Sequence, residues 1–275
     1  MNSSRETFLI KDLVKNRKLI GTLAKNDFKT KYAGSYLGVL WGFVQPVITI
    51  LVYWFAFEKG LKMSATNLTT GMTIPYVLWL TAGLVPWFFL QEAFNGGTSA
   101  LRDYDYLVKK VVFNVEILPT VRVVSALFTH IFFVVFTVVF FSCYKFFPTL
   151  YTLQAVYYSF ALMVLVLGLS YLTSAIMVFF KDLGQIVNII LQVGIWVTPI
   201  MWNIDSAQFS PTVIKILKFN PMFYIVQGYR DSFINQKWFW EYPTMTLYYW
   251  IFALVVLLLG VRVFRKLRTH FADVL

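Results

Sequence analysis

Long apolar stretches alternate with short, mostly basic polar segments along this chain. Six such stretches cover residues 36–57, 75–94, 120–143, 153–180, 185–202 and 245–263. The hydrocarbon core of a bilayer is about 30 Å thick, and about 20 apolar residues cross it as a helix. Each stretch meets that requirement, the fifth being the shortest. Lipid offers no hydrogen bonds to a bare backbone, so crossing segments must satisfy their own amides and carbonyls as helices. The pattern predicts an all-α integral membrane protein with six transmembrane helices, one membrane domain over residues 1–275.

The segments between the spans carry patterns of their own. Within residues 1–35, Ile10, Leu13, Val14, Ile20, Leu23 and Phe28 recur at roughly helical spacing among lysines. That spacing predicts an amphipathic helix lying in the membrane interface. Residues 95–119 open on Asn95-Gly96-Gly97-Thr98, read as a turn, and continue as a short helix from Ser99 to Val112. This helix carries Arg102, Asp103, Asp105, Tyr106, Lys109 and Lys110, and Pro119 ends the segment. Lys181-Asp182-Leu183-Gly184 is a tight polar turn that makes the fourth and fifth spans antiparallel neighbours. Residues 203–243 contain apolar pieces too short to span, punctuated by Pro211, Pro221 and Pro243. They read as interfacial or re-entrant helices. The two halves share no motif, which speaks against the inverted repeats of secondary transporters.

Hydrophobic residues make up 59% of the chain and charged residues 13%, with a net charge of +11. The charge lies between the spans. With the N-terminus placed inside, 17 of the 24 Lys and Arg residues fall on that side. The positive-inside rule therefore puts both termini of this multi-pass membrane protein in the cytoplasm. Topology and anionic lipid headgroups account for the basic excess, so no nucleic-acid partner is expected. Cys143 is the sole cysteine, which excludes an intrachain disulfide and a cysteine metal cluster. The first 35 residues lack an apolar core, so the first span is expected to serve as the insertion signal.

Ionisable groups within the spans are few: Glu92 and Arg122 near one end, and a lone His130. His130 reads as an interhelical hydrogen-bonding residue rather than a catalytic one. No catalytic pair, metal-ligand motif or phosphate-binding loop occurs, so no catalytic residue, metal or cofactor is expected in this chain. An ion-coupled carrier should hold acids near the midplane, and none stands there. The spans instead carry neutral polar and aromatic stripes. Trp41, Gln45, Thr49 and Tyr53 share one face of the first, and Asn188, Gln192 and Trp196 one face of the fifth. Amides hydrogen-bond sugar hydroxyls and phosphates, and rings stack on sugar faces, so the stripes could line a hydrated pathway. Interhelical packing is the alternative reading.

Several runs resemble one family. Lys31-Tyr32-Ala33-Gly34-Ser35-Tyr36-Leu37-Gly38 through Trp41, then Gln45-Pro46, is similar to the opening signature of polysaccharide-exporting ABC transporter permeases. Gly83-Leu84-Val85-Pro86-Trp87-Phe88-Phe89, Leu107 to Pro119 (LVKKVVFNVEILP), Phe179-Phe180-Lys181-Asp182, Thr198 to Trp202 and Asn220 to Tyr224 resemble further motifs of that family, in order. The runs 228–233 and 270–275 look most like wall teichoic acid translocation permeases. Asn114 replaces a common proline, and Lys31 and Lys181 stand where relatives carry arginine.

The resemblance implies a homodimer of permeases bound to two separate ABC ATPase subunits, which hold ATP and magnesium. The implied cargo is an undecaprenyl-diphosphate-linked teichoic acid polymer, with capsular polysaccharide or O-antigen as the alternative. It implies ATPase-coupling roles for Arg102, Asp103, Asp105, Tyr106, Lys109, Lys110, Lys181 and Asp182. A membrane enzyme acting on lipid-linked glycans is the non-transport alternative; it would need a paired acid and base at one depth.

Overall fold

A computed structural model describes residues 12–63, 65–66, 71, 73–109, 113–204 and 209–274. The main helices are α1 (Arg17–Thr30), α2 (Trp41–Trp54), α3 (Tyr76–Asp103), α4 (Leu118–Cys143), α5 (Gln154–Phe179), α6 (Leu183–Val197), α7 (Pro211–Lys218), α8 (Pro221–Arg230) and α9 (Pro243–Leu267). With their short helical extensions, α2, α3, α4, α5 and α9 are long and apolar enough to cross a membrane. The fold is the all-α membrane architecture that the hydrophobic pattern predicts.

The fifth apolar stretch differs from expectation. Its helix, α6, has 15 residues and reaches about 22 Å. Thr198, which precedes Pro199, is extended, as the proline ring demands. The apolar run continues through Ile200 and Met201, but these two are buried in a non-helical turn. Side chains answer their freed carbonyls: Tyr76 donates its hydroxyl to Met201, and Arg230 donates to Ile200 at 2.9 Å.

α3 is the centre of the molecule. Its most apolar stretch is 83% buried, against 11% for that of α2. It packs on α4, α5 and α8, while α9 runs along α5 and α1 lies across α4. The expected turn at Gly96-Gly97 is absent, because α3 continues unbroken to Asp103. Gly97 instead allows close packing: a Cβ there would stand 2.0 Å from Ser170 Oγ. Of the expected helix from Ser99 to Val112, Ser99–Asp103 forms the end of α3 and Asp105–Val108 a separate turn, while residues 110–112 lie outside the described residues.

The first and last described segments meet at one face of the bundle. Leu13, Val108, Val178 and Phe271 share one apolar cluster there. Glu116 accepts from Arg268 at 2.7 Å and Arg265 at 3.4 Å. At the opposite face, Glu58 caps α3 by accepting from Val77 N–H at 3.0 Å. A two-residue antiparallel ladder, Ala65–Thr66 against Thr73–Ile74, lies in the same connection.

The segment between α6 and α9 forms the two expected short helices. α7 is largely exposed, whereas α8 is buried from Met222 to Arg230 except for Gln227. α8 re-enters the bundle: Tyr229 reaches His130, near the middle of the crossing helix Val115–Cys143. Asn220 starts α8 by accepting from Met222 N–H at 3.0 Å and donating to Thr198 Oγ1 at 2.8 Å.

α5 and α9 approach at paired glycines. A Cβ on Gly260 would lie 2.3 Å from the Gly168 carbonyl, and one on Gly168 would lie 2.6 Å from the Leu257 nitrogen. Backbone cannot yield as a flexible side chain does. Gly168→Val and Gly260→Val are each expected to cost about 1–3 kcal/mol, read as a lower melting temperature and yield in detergent. Gly21→Ala on α1, where a Cβ meets nothing within 4 Å, should hold or raise stability.

Candidate functional site: a polar cleft between four helices

α2, α3, α4 and α6 enclose a cleft of about 870 Å³. α2 contributes Gln45, Thr49 and Tyr53, and α6 contributes Asn188, Gln192 and Trp196. The two stripes picked out in the sequence thus face one space. Trp41 does not line it and stands 45% exposed at the start of α2. Two further walls escaped the sequence reading. α3 supplies Gln91, Glu92, Asn95 and Ser99, and α4 supplies Arg122, Ser125, Thr129 and His130. Both sets keep helical spacing, so the signal existed. It was hidden because Glu92, Arg122 and His130 read as isolated groups. Trp87, Phe88, Phe89 and Phe133 add aromatic surface to the same walls.

Charge gathers at the end of the cleft nearest the chain termini. There Lys31 meets Glu92 at 2.6 Å. Burial lowers the Lys31 pKa, but the adjacent carboxylate more than offsets this, and the net shift is upward. Arg122 bridges two acids, Asp27 on α1 at 2.8 Å and Asp103 on α3 at 2.5 Å. Asp27 is 6% exposed, and a desolvated carboxylate needs such a partner. Tyr104 donates to the same carboxylate at 2.5 Å. Burial first, then the Asp27 contact, raise the Tyr104 pKa, so the phenol keeps the proton it donates. The cations of the mouth are therefore matched by carboxylates of the protein itself.

Deeper in, the walls are neutral. His130 Nε2 lies 3.0 Å from both Ser159 Oγ and Tyr229 OH, so it is the interhelical residue the sequence suggested. The Thr129 hydroxyl and His130 Nδ1 are buried without a partner. Among the described residues no group of three or more His, Cys, Asp or Glu is placed to hold a metal ion.

The residues assigned to ATPase coupling fall on the termini-bearing face, with different orientations. Asp103 is exposed, yet it pairs with Arg122 and takes a 2.6 Å hydrogen bond from Ser99. Asp105 pairs with Lys109 at 3.5 Å and accepts from the Tyr106 amide at 2.7 Å. Tyr106, Lys109, Lys181 and Asp182 are exposed, and Arg102 is half-buried. Lys110 lies outside the described residues. Asn114, at the common proline position, accepts from Glu116 N–H at 3.2 Å and so starts the turn that leads into α4.

The Asp27–Arg122–Asp103 triad couples α1, α4 and α3, and its members should not behave additively. Arg122→Gln strands the buried Asp27 and is expected to destabilise by about 3 kcal/mol or more. Adding Asp27→Asn to Arg122→Gln should restore part of that loss. Melting temperatures of the three purified proteins check the order.

Comparisons with known proteins agree with this architecture. The chain is 28% identical to the O-antigen export system permease protein RfbA of Myxococcus xanthus over 265 residues, covering 96% of this chain and 98% of that protein. It is 26% identical to the protein of the same name from Klebsiella pneumoniae over 261 residues, covering 94% and 95% respectively. The ABC-2 type transporter family matches residues 18–234. Multiple apolar helices, a central polar cleft and that match over most of the length lead to one statement: the chain belongs to the ABC-2 type transporter family, as a multi-pass membrane permease rather than an enzyme.

Proposed function

We propose that this chain is the membrane subunit of an ATP-driven exporter of a lipid-linked polysaccharide. The observation that carries the reading is the cleft. Its mouth is charged but self-compensated, and its deeper walls are amides, hydroxyls and rings from four helices. A long hydrophilic polymer slides only if each contact is weak. Neutral hydrogen bonds and stacking meet that need, whereas a strong charged site would trap the cargo. α2 and α6 expose much of their apolar surface, including Leu51, Val52, Ile189 and Ile190. A second copy would complete the pathway that these helices flank.

In this reading the termini-bearing face is cytoplasmic, which the excess of basic residues on that side supports. Two ATPase subunits dock there, on the face that displays Tyr106, Lys109, Lys181 and Asp182, and they supply ATP and magnesium. The relatives are named for O-antigen export. That favours an O-antigen-like polymer over teichoic acid, which rests on the runs 228–233 and 270–275. An undecaprenyl-diphosphate anchor is part of the proposal for either polymer. The non-transport alternative gains nothing from the cleft, where His130 faces hydroxyls rather than an acid.

Two expectations follow from this arrangement. The purified chain should not hydrolyse ATP, because it has no phosphate loop, while the chain co-expressed with its ATPase should do so in liposomes. In cells lacking their own O-antigen permease, the pair should restore surface polymer. Polymer that accumulates inside while the pair is expressed and assembled would argue for another cargo.

Pathway lining is tested by cysteine access in a Cys143→Ser background. Single cysteines at Gln45, Thr49, Asn188 and Gln192 should react with a water-soluble methanethiosulfonate in the assembled transporter. Cysteines at Leu51 and Ile190, on the outer apolar faces, should not. Protection of all four cleft positions, in both resting and ATP-trapped states, would make the stripes helix packing instead.

A further inference from the structure

His130 sits where three other elements meet its helix. It stacks on Phe89 of α3 at 4.5 Å, and its Nε2 reaches Ser159 of α5 and Tyr229 of α8. Counting donors assigns the hydrogens of this cluster. Ser159 gives its one hydroxyl hydrogen to the Ala155 carbonyl at 2.6 Å. The 2.7 Å contact between the Ser159 and Tyr229 hydroxyls therefore uses the hydrogen of Tyr229. Both hydroxyl hydrogens are then committed, so Nε2 must carry the hydrogen that it shares with the two oxygens. A neutral imidazole protonated on Nε2 leaves Nδ1 as a bare acceptor.

That acceptor is unanswered. Nδ1 is buried without a partner, His130 is only 3% exposed, and the residue lines the cleft. The neighbouring Thr129 repeats the anomaly. A threonine in a helix commonly gives its hydroxyl to the carbonyl four residues back. Thr81, Thr98, Thr137 and Thr173 all do so here. Thr129 does not, although it too is buried and lines the cleft. Buried polar groups rarely stay unpaired, and such exceptions call for a reason.

We propose that Thr129 and His130 form a hydroxyl-binding subsite in the cleft wall, which takes a neutral sugar ring of the moving polymer. Nδ1 accepts from one sugar hydroxyl, and the Thr129 hydroxyl gives to or accepts from another. Ser159 and Tyr229 act as positioning residues that fix the imidazole tautomer. A phosphate would meet a lone pair at Nδ1 and is not the group that this site holds. The proposal rests on the exporter reading and adds to it a place and a chemistry of contact. It also ties the re-entrant α8 to the cleft wall through Tyr229.

The test uses the full transporter, permease with its ATPase, in polymer-producing cells. The readouts are surface polymer per membrane-inserted permease and the melting temperature of the purified complex. Thr129→Val removes a hydroxyl that bonds nothing in the resting protein. It should leave the melting temperature unchanged or higher and lower export about threefold to tenfold, the worth of one neutral hydrogen bond. His130→Gln keeps an amide near the Nε2 position and loses the acceptor, so it should match that loss with near-normal stability. His130→Asn keeps a polar group near Nδ1 and breaks the link to Ser159 and Tyr229, so its melting temperature should fall.

Normal export by both Thr129→Val and His130→Gln overturns the subsite. A Thr129→Cys variant in the Cys143→Ser background then separates the causes. If it reacts with the soluble thiol reagent, the exporter cleft stands and the subsite alone falls. If it stays unreactive in resting and ATP-trapped states, the wet cleft falls and takes the subsite with it.

Discussion

A polar group held at bilayer depth must be answered by protein or by water, and this constraint shapes the molecule more than apolar packing does. The apolar surface of the bundle resembles the lipid around it, so burying that surface discriminates weakly between arrangements. An unpaired carbonyl or carboxylate costs far more. The break after α6 shows the consequence. Pro199 ends the helix early, and the carbonyls that follow are held by Tyr76 and Arg230. Arg230 lies over the Trp79 ring at 3.4 Å and is buried beside α3. Asp231, next to it, takes bonds from Gln227 and Asn235. The re-entrant α8 persists at depth because each of its polar ends has such a partner.

The same constraint explains what the sequence revealed. The spans, the interface helix and the re-entrant segment were legible, because each leaves a long or periodic apolar signature. The length of α6 was not. Ile200 and Met201 are as apolar as a helix interior and hid the break that Pro199 marks, and the side chains that hold their carbonyls, Arg230 and Tyr76, lie 30 and 125 residues away in sequence. Gly96-Gly97 misled for a related reason. Two glycines read locally as a turn, yet Gly97 is required by Ser170 on α5, a contact that no window of sequence contains.

The cleft was half legible. The stripes of α2 and α6 stand out because neutral amides are conspicuous among aliphatic residues. Trp41 belongs to the α2 stripe by spacing alone, but its side chain does not line the cleft, whereas the neighbouring Gly42 does. The α3 and α4 walls were harder, since Glu92 and Arg122 carry formal charges that suggest isolated ion pairs. Their partners come from two segments, Asp27 and Lys31 at the end of α1 and Asp103 at the end of α3. Pairing across that separation is a tertiary fact. The structure also gives Asp103, an exposed carboxylate, a place in the triad that secures α1.

Self-compensation at the mouth and neutrality within belong together. Uncompensated Lys31 and Arg122 would make the mouth an anion trap, and Coulomb attraction grows as water is excluded from such a site. Their carboxylate partners remove that attraction while keeping the groups hydrated enough to line an aqueous space. On the exporter reading, cargo is then recognised only by contacts that can be exchanged one by one. Unpaired acceptors and hydroxyls in the deeper wall suit that exchange, because each gains a partner as a sugar arrives and loses it at small cost as the next takes its place. On that reading, binding weak enough to release and repeated often enough to guide follows from the same residue choices.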